Sequence, residues 1–123
     1  MEYTKELQDY VDTVVAREGS DIHLITGTKP LFRVKRELLP FIQKEPLKPE
    51  DSMAFLAQML KIPVADAAVN IRDKKHLLFS YKHKTRNDRE INFRITAYLE
   101  KATVAIAMRL IEETERTIDE LDV

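Results

Sequence analysis

From His76 to Ile111 the apolar residues recur with a period of two, and no other stretch constrains the fold as much. Successive side chains of a strand point to opposite faces, so such a run must lie in a sheet with one face buried. Leu77, Phe79 and Tyr81 alternate with Leu78 and Ser80. Two longer runs follow, Glu90 to Leu99 and Ala102 to Ile111, with Glu100-Lys101 read as the tip of a hairpin between them. A two-residue turn there pairs Ile91 with Leu110, Phe93 with Met108, Ile95 with Ile106 and Ala97 with Val104, all apolar. The other face then pairs Asn92 with Arg109, Arg94 with Ala107, Thr96 with Ala105 and Tyr98 with Thr103. One apolar face and one polar face agree with that parity.

The register puts Arg94 and Arg109 on the polar face as diagonal neighbours, roughly 7 Å apart at the backbone. Alanines at 105 and 107 give them little steric cover. Two guanidinium forks on a rigid sheet can grip a phosphate or a carboxylate. The competing reading is that they are solvated, or paired with acids on a neighbouring helix.

The first half of the chain reads as helices and short strands. Leu7, Tyr10, Val11, Val14 and Val15 give Tyr3 to Arg17 one apolar helical face, and Glu18-Gly19-Ser20 stops it. Asp21 to Ile25 alternates as a strand, with Ile22 and Leu24 on one side and His23 and Ile25 on the other. A turn through Pro30 leads to a strand over Leu31 to Lys35, and Leu38 to Ile42 reads as a third. Pro49 opens a helix carrying Met53, Phe55, Leu56, Met59 and Leu60, and Pro63 opens another through Ile71. The fold class is therefore α+β, an antiparallel sheet with helices packed on one face.

The 123 residues suit one domain, and 44% hydrophobic with 33% charged residues is a globular balance. A net charge of -1 exerts no global pull on nucleic acid or membrane. Without cysteine there is neither a disulfide nor a thiolate metal site. The first ten residues lack the apolar core of a signal peptide, and no run approaches the ~20 apolar residues of a membrane span. The default address is the cytoplasm.

The two glycines, Gly19 and Gly27, are eight apart, so the chain builds neither a Walker A loop nor a dinucleotide fingerprint. His23, His76 and His83 are solitary, too few for a metal site; His23 or Asp21 is read as making a structural hydrogen bond at the strand start. No serine sits in a nucleophile elbow. The basic segment Lys82 to Arg89 is read as an exposed loop or a protein-docking patch. Asp73, Asp88 and Glu90 dilute its charge, and nucleic acid is not expected as a partner.

Several short motifs occur in order. Ser20-Asp21-Ile22-His23-Leu24 resembles the Ala-Ser-Asp-Ile/Leu-His-Leu signature of type IV pilus and type II secretion ATPases of the PilT/GspE family. Gly27, Pro30, Arg33 and Val34 fit that family's Gly-x-Pro-Pro-x-x-Arg-Val, and Phe79-Ser80-Tyr81 its Asp-Phe-Ser-Tyr/Phe. Phe93 to Tyr98 resembles Phe-Arg-Val-Asn-Ala-Phe, Met108 to Ile111 resembles Phe/Met-Arg-x-Ile/Leu, and Thr117 to Leu121 resembles Thr-Leu-Glu-Glu-Leu. Lys29 stands where the family has a proline, Arg36 where it has a turn glycine, and Asn92 where it has an arginine.

The resemblance implies a PAS-like N-terminal domain over residues 1–112. Residues 113–123 would be a linker and the start of a helix, capped by Thr117 and Glu120, leading to a RecA-like ATPase domain. It implies ATP and Mg in the full-length protein and no cofactor on this part, which would be inactive alone. It places Arg94 and Arg109 near the nucleotide phosphates. The implied partners are the chain's own RecA-like domain, neighbouring subunits of a homohexamer, and platform proteins of a pilus or secretion machine at the inner membrane. Direct membrane insertion is not implied. The rival reading is a stand-alone PAS-like ligand- or protein-binding module, which would need a closed internal pocket.

Overall fold

The computed structural model describes residues 1–111; the linker and the capping box read at 113–123 lie outside them. Three helices, α1 (Tyr3–Ala16), α2 (Pro49–Leu60) and α3 (Val64–Lys74), accompany six strands. The strands are β1 (Asp21–Ile25), β2 (Leu31–Val34), β3 (Glu37–Pro40), β4 (His76–Lys84), β5 (Glu90–Glu100) and β6 (Thr103–Leu110). They form one antiparallel sheet in the order β3-β2-β1-β6-β5-β4. The α+β class read from the sequence is what the chain adopts.

The helices cover one face of this sheet. Leu7, Tyr10, Val11 and Val14 of α1, Phe55, Leu56 and Met59 of α2, and Ala67 and Ile71 of α3 are buried. They pack against Ile22 and Leu24 of β1, Phe93 and Ile95 of β5, and Ile106 and Met108 of β6. Tyr10 fills the centre, with Phe41 at 5.1 Å and Phe55 at 5.6 Å between ring centroids. Its hydroxyl donates to Glu6 Oε2 at 3.0 Å, so its one polar atom is not orphaned. Burial pushes this phenol far above its ordinary range.

Two local devices set how the layers meet. Asp51, buried in the first turn of α2, accepts from the Lys48 backbone N at 2.9 Å and from the Tyr3 hydroxyl at 2.8 Å. It thereby caps α2 and ties it to the start of α1. At the α1–β1 junction, Gly19 N donates to Val14 O at 2.7 Å, and the next residue, Ser20, donates to Arg33 O at 2.9 Å. A Cβ on Gly19 would lie 2.8 Å from both Arg33 O and Val14 Cγ2, so only glycine lets helix and sheet approach this closely.

The hairpin differs from its sequence reading. Glu100 pairs with Thr103, and the turn is Lys101-Ala102, both with positive φ (53° and 69°). That is the type I′ arrangement that suits the twist of a two-residue hairpin. Neither residue favours it, which is why the sequence placed the turn one residue too early. Strand parity is unchanged and the same residues face the core, but every pair shifts: Phe93 meets Leu110, Ile95 meets Met108 and Ala97 meets Ile106.

The basic segment also differs in part. β4 continues through Lys84, and His83 is buried against α1. Arg86 donates to Asp9 and Asp12 of α1, each at 2.6 Å, which holds the Asp9 carboxyl below its usual range. The segment is exposed as read, at Lys82, Lys84 and Arg86 to Arg89, but it is anchored to α1 through His83 and Arg86.

Candidate functional site

The face of the sheet away from the helices is open, and the strand registers align one row of polar residues across it. Arg33 on β2 lies opposite Asp21 on β1, Asp21 opposite Arg109 on β6, Arg109 opposite Arg94 on β5, and Arg94 opposite Ser80 on β4. Residues directly opposite share a face, so three guanidiniums and one carboxylate form a single lateral ladder.

Arg94 and Arg109 are thus closer than their sequence reading made them. They are direct cross-strand partners, not diagonal ones. Ile111 N donates to Asn92 O at 2.9 Å, which puts the 92/111 and 94/109 positions in the hydrogen-bonded class, with Cα atoms about 5.5 Å apart. Both arginines are exposed, beside Ala107 and Thr96 one row along. Two forks rising side by side over small neighbours can take two oxygens of one phosphate group or of neighbouring ones.

Asp21 is the acid of the row. Its side chain is 8% exposed, whereas that of Arg109 is 73% exposed. Arg109 Nη2 reaches Asp21 Oδ2 at 3.5 Å, a long contact. The acid that pairs with Arg109 therefore comes from the adjacent strand, not from a helix. His23, two residues along β1 and on the same face, brings Nε2 to 3.9 Å from the same Oδ2. That nitrogen is buried and makes no hydrogen bond; the bond read for His23 or Asp21 at the strand start is the one Asp21 accepts from Arg109. Burial lowers the His23 pKa, Asp21 raises it in part, and Arg33 and Arg109 lower it further.

Arg33 belongs to this row but was not singled out as a site residue from the sequence. Nothing in its own strand marks it; only the pairing order β2-β1-β6-β5 brings it into line. On the other side of the molecule, His83 Nδ1 lies 2.8 Å from the Tyr81 hydroxyl and its Nε2 contacts the Gln8 amide. With Gln8 turned so that its nitrogen faces His83, its oxygen accepts from the Arg86 backbone N at 2.8 Å. Burial lowers the His83 pKa and pushes that of Tyr81 up to about 12. This cluster is a core joint between β4 and α1.

Among the described residues, no group of three His, Cys, Asp or Glu side chains converges to hold a metal ion. No single described helix is long and apolar enough to cross a membrane.

No family model and no curated protein matches the chain. Solved structures do. The Yersinia pseudotuberculosis ATPase DotB aligns with 91% of this chain at 20% identity and a TM-score of 0.76. The Legionella pneumophila ATPase DotB aligns with 82% at 17% identity and a TM-score of 0.69. The pilus retraction motor PilT, solved with bound ADP, aligns with 85% at 20% identity and a TM-score of 0.66. The chain spans only 31%, 27% and 29% of the lengths of those three proteins. At such identity the likeness establishes the fold. The chain has the fold of a domain contained in DotB- and PilT-type ATPases, and the resemblance read from its motifs holds at that level.

Proposed function

We propose that this chain is the N-terminal domain of a motor ATPase of the pilus-retraction or secretion kind. It is not catalytic alone. It presents Arg94 and Arg109 to nucleotide phosphates held by a RecA-like domain, either its own or that of a neighbouring subunit in a homohexamer. ATP and Mg enter with that domain. The assembly works in the cytoplasm, peripheral to inner-membrane platform proteins, and this domain contributes contacts between subunits.

One observation carries the reading: Arg94 and Arg109 stand directly opposite each other on an open, rigid sheet face. Phosphoryl transfer places charge on the γ-phosphate oxygens, and guanidiniums that arrive when two domains close stabilise that charge and couple it to movement. The fold shared with DotB and with ADP-bound PilT supports the class of partner domain. The coding sequence beyond Val123 is the simplest test. A P-loop within about a hundred residues, in the domain-size range, supports the proposal. A stop codon directly after Val123 contradicts the single-chain form of it.

A further inference from the structure

The contacts around Asp21 carry a consequence for the arginine face, one that rests on the phosphate-binding reading above. We propose that Asp21 makes this face a proton-linked anion site. An anion that draws Arg109 away from Asp21 frees the carboxylate for His23, and His23 takes up a proton.

The geometry is that of one atom shared between two cations. Asp21 Oδ2 faces Arg109 Nη2 at 3.5 Å and His23 Nε2 at 3.9 Å. A fully made charge-assisted bond is shorter, about 2.7–2.9 Å, so neither partner holds the carboxylate completely. The two sides differ in mobility. Arg109 is mostly in solvent and free to turn toward an anion, whereas Asp21 is buried at the strand start and cannot follow it.

When Arg109 leaves, Asp21 becomes a buried charge without its main counter-ion, which is costly. The nearest donor able to answer is His23 Nε2, buried and without a hydrogen-bond partner. The charged groups that bear on His23 are Asp21 on its own strand, Arg33 on β2 and Arg109 on β6. Its direct neighbours across the sheet, Leu31 and Ala107, carry no charge. Withdrawal of Arg109 removes a repelling cation, and the arriving anion offsets Arg33. Both changes favour the imidazolium, which can then close on Asp21. Linkage makes the effect reciprocal, so the protonated site binds the anion more tightly by the factor by which the anion raises proton affinity. Affinity therefore rises as pH falls through the His23 titration.

Sulfate is the probe, because its charge is fixed between pH 5.5 and 8, and NMR of this chain reads both partners. Backbone and guanidinium shifts of Arg94 and Arg109 report sulfate, and the His23 ring reports its proton. We expect sulfate to raise the His23 midpoint and to bind about five- to tenfold more tightly at pH 5.5 than at pH 8. Asp21→Asn removes most of that midpoint shift, and His23→Gln leaves sulfate binding nearly independent of pH. Sulfate binding in the wild-type chain with an unmoved His23 midpoint overturns the linkage and leaves the phosphate-binding reading intact. A midpoint shift of full size in Asp21→Asn also overturns it, since Asp21 is then not the link. Absence of any sulfate response at Arg94 and Arg109 at every pH overturns this inference and the phosphate-binding reading together.

Discussion

Arg94 and Arg109 face each other across β5 and β6 with like charges, and of these two only Arg109 has an acid within ion-pair distance among the described residues, namely Asp21. Like charges placed directly opposite on neighbouring strands destabilise a sheet by about 0.2–1 kcal/mol. Nothing in the fold requires the pair. Arg94→Thr should therefore leave stability unchanged or raise it by a few tenths of a kcal/mol, within the same range. Arg109→Thr should lower it slightly, because Asp21 loses its cation. Urea unfolding of the two variants checks the asymmetry. A clear loss of stability in Arg94→Thr would show that Arg94 has a structural task.

The turn at Lys101-Ala102 holds two L-residues with positive φ. Each such residue costs about 1–2 kcal/mol relative to one that tolerates the conformation. Lys101→Asn relieves only part of that cost and Ala102→Gly loses some of it to glycine's greater chain entropy, so together they should raise stability by roughly 1–2 kcal/mol without moving the register. Thermal unfolding measures the gain, and cross-strand NOEs between Arg94 and Arg109 confirm the pairing.

Gly19 is the opposite case, a glycine required for space. Gly19→Ala puts a methyl against a backbone oxygen and a buried valine, both at 2.8 Å. A loss of about 1–3 kcal/mol is expected, the usual range for overpacking, again by urea unfolding. An unchanged midpoint would mean that α1 and β1 can separate without loss.

Two histidines contribute to the pH dependence of stability. Burial lowers the pKa of both His23 and His83. In the unfolded chain each titrates near 6.5, so as pH falls below that value the unfolded state binds protons that the folded state refuses. Stability is thus fully present above pH ~6.5 and declines as pH falls toward the folded-state values. His83→Gln combined with His23→Gln should flatten the decline between pH 7 and 5. If the double variant shows the wild-type slope, other groups are responsible.

Most of the architecture was legible because the apolar periods are strong. α1, β1 and α2 lie where Leu7 to Val14, Ile22 with Leu24, and Phe55 to Met59 predicted them. The hairpin register was not, because Lys101-Ala102 carries none of the Asn or Gly that marks a type I′ turn. Parity survived the error, since the apolar face fixes it, and for that reason Arg94 and Arg109 were still placed together. The anchoring of the basic segment was not legible because the partners of Arg86, Asp9 and Asp12, lie more than seventy positions away on α1. Arg33 was missed as a site residue for a similar reason: strand order, unlike strand period, is a long-range property.

ATP turnover by the proposed full-length motor tests the central claim most directly, with Arg94→Ala and Arg109→Ala compared with wild type. Removing a guanidinium that stabilises transferring phosphate lowers turnover by about 10²-fold or more. A loss of that order is expected for each variant, with both proteins folded and assembled. Wild-type turnover in both would contradict it.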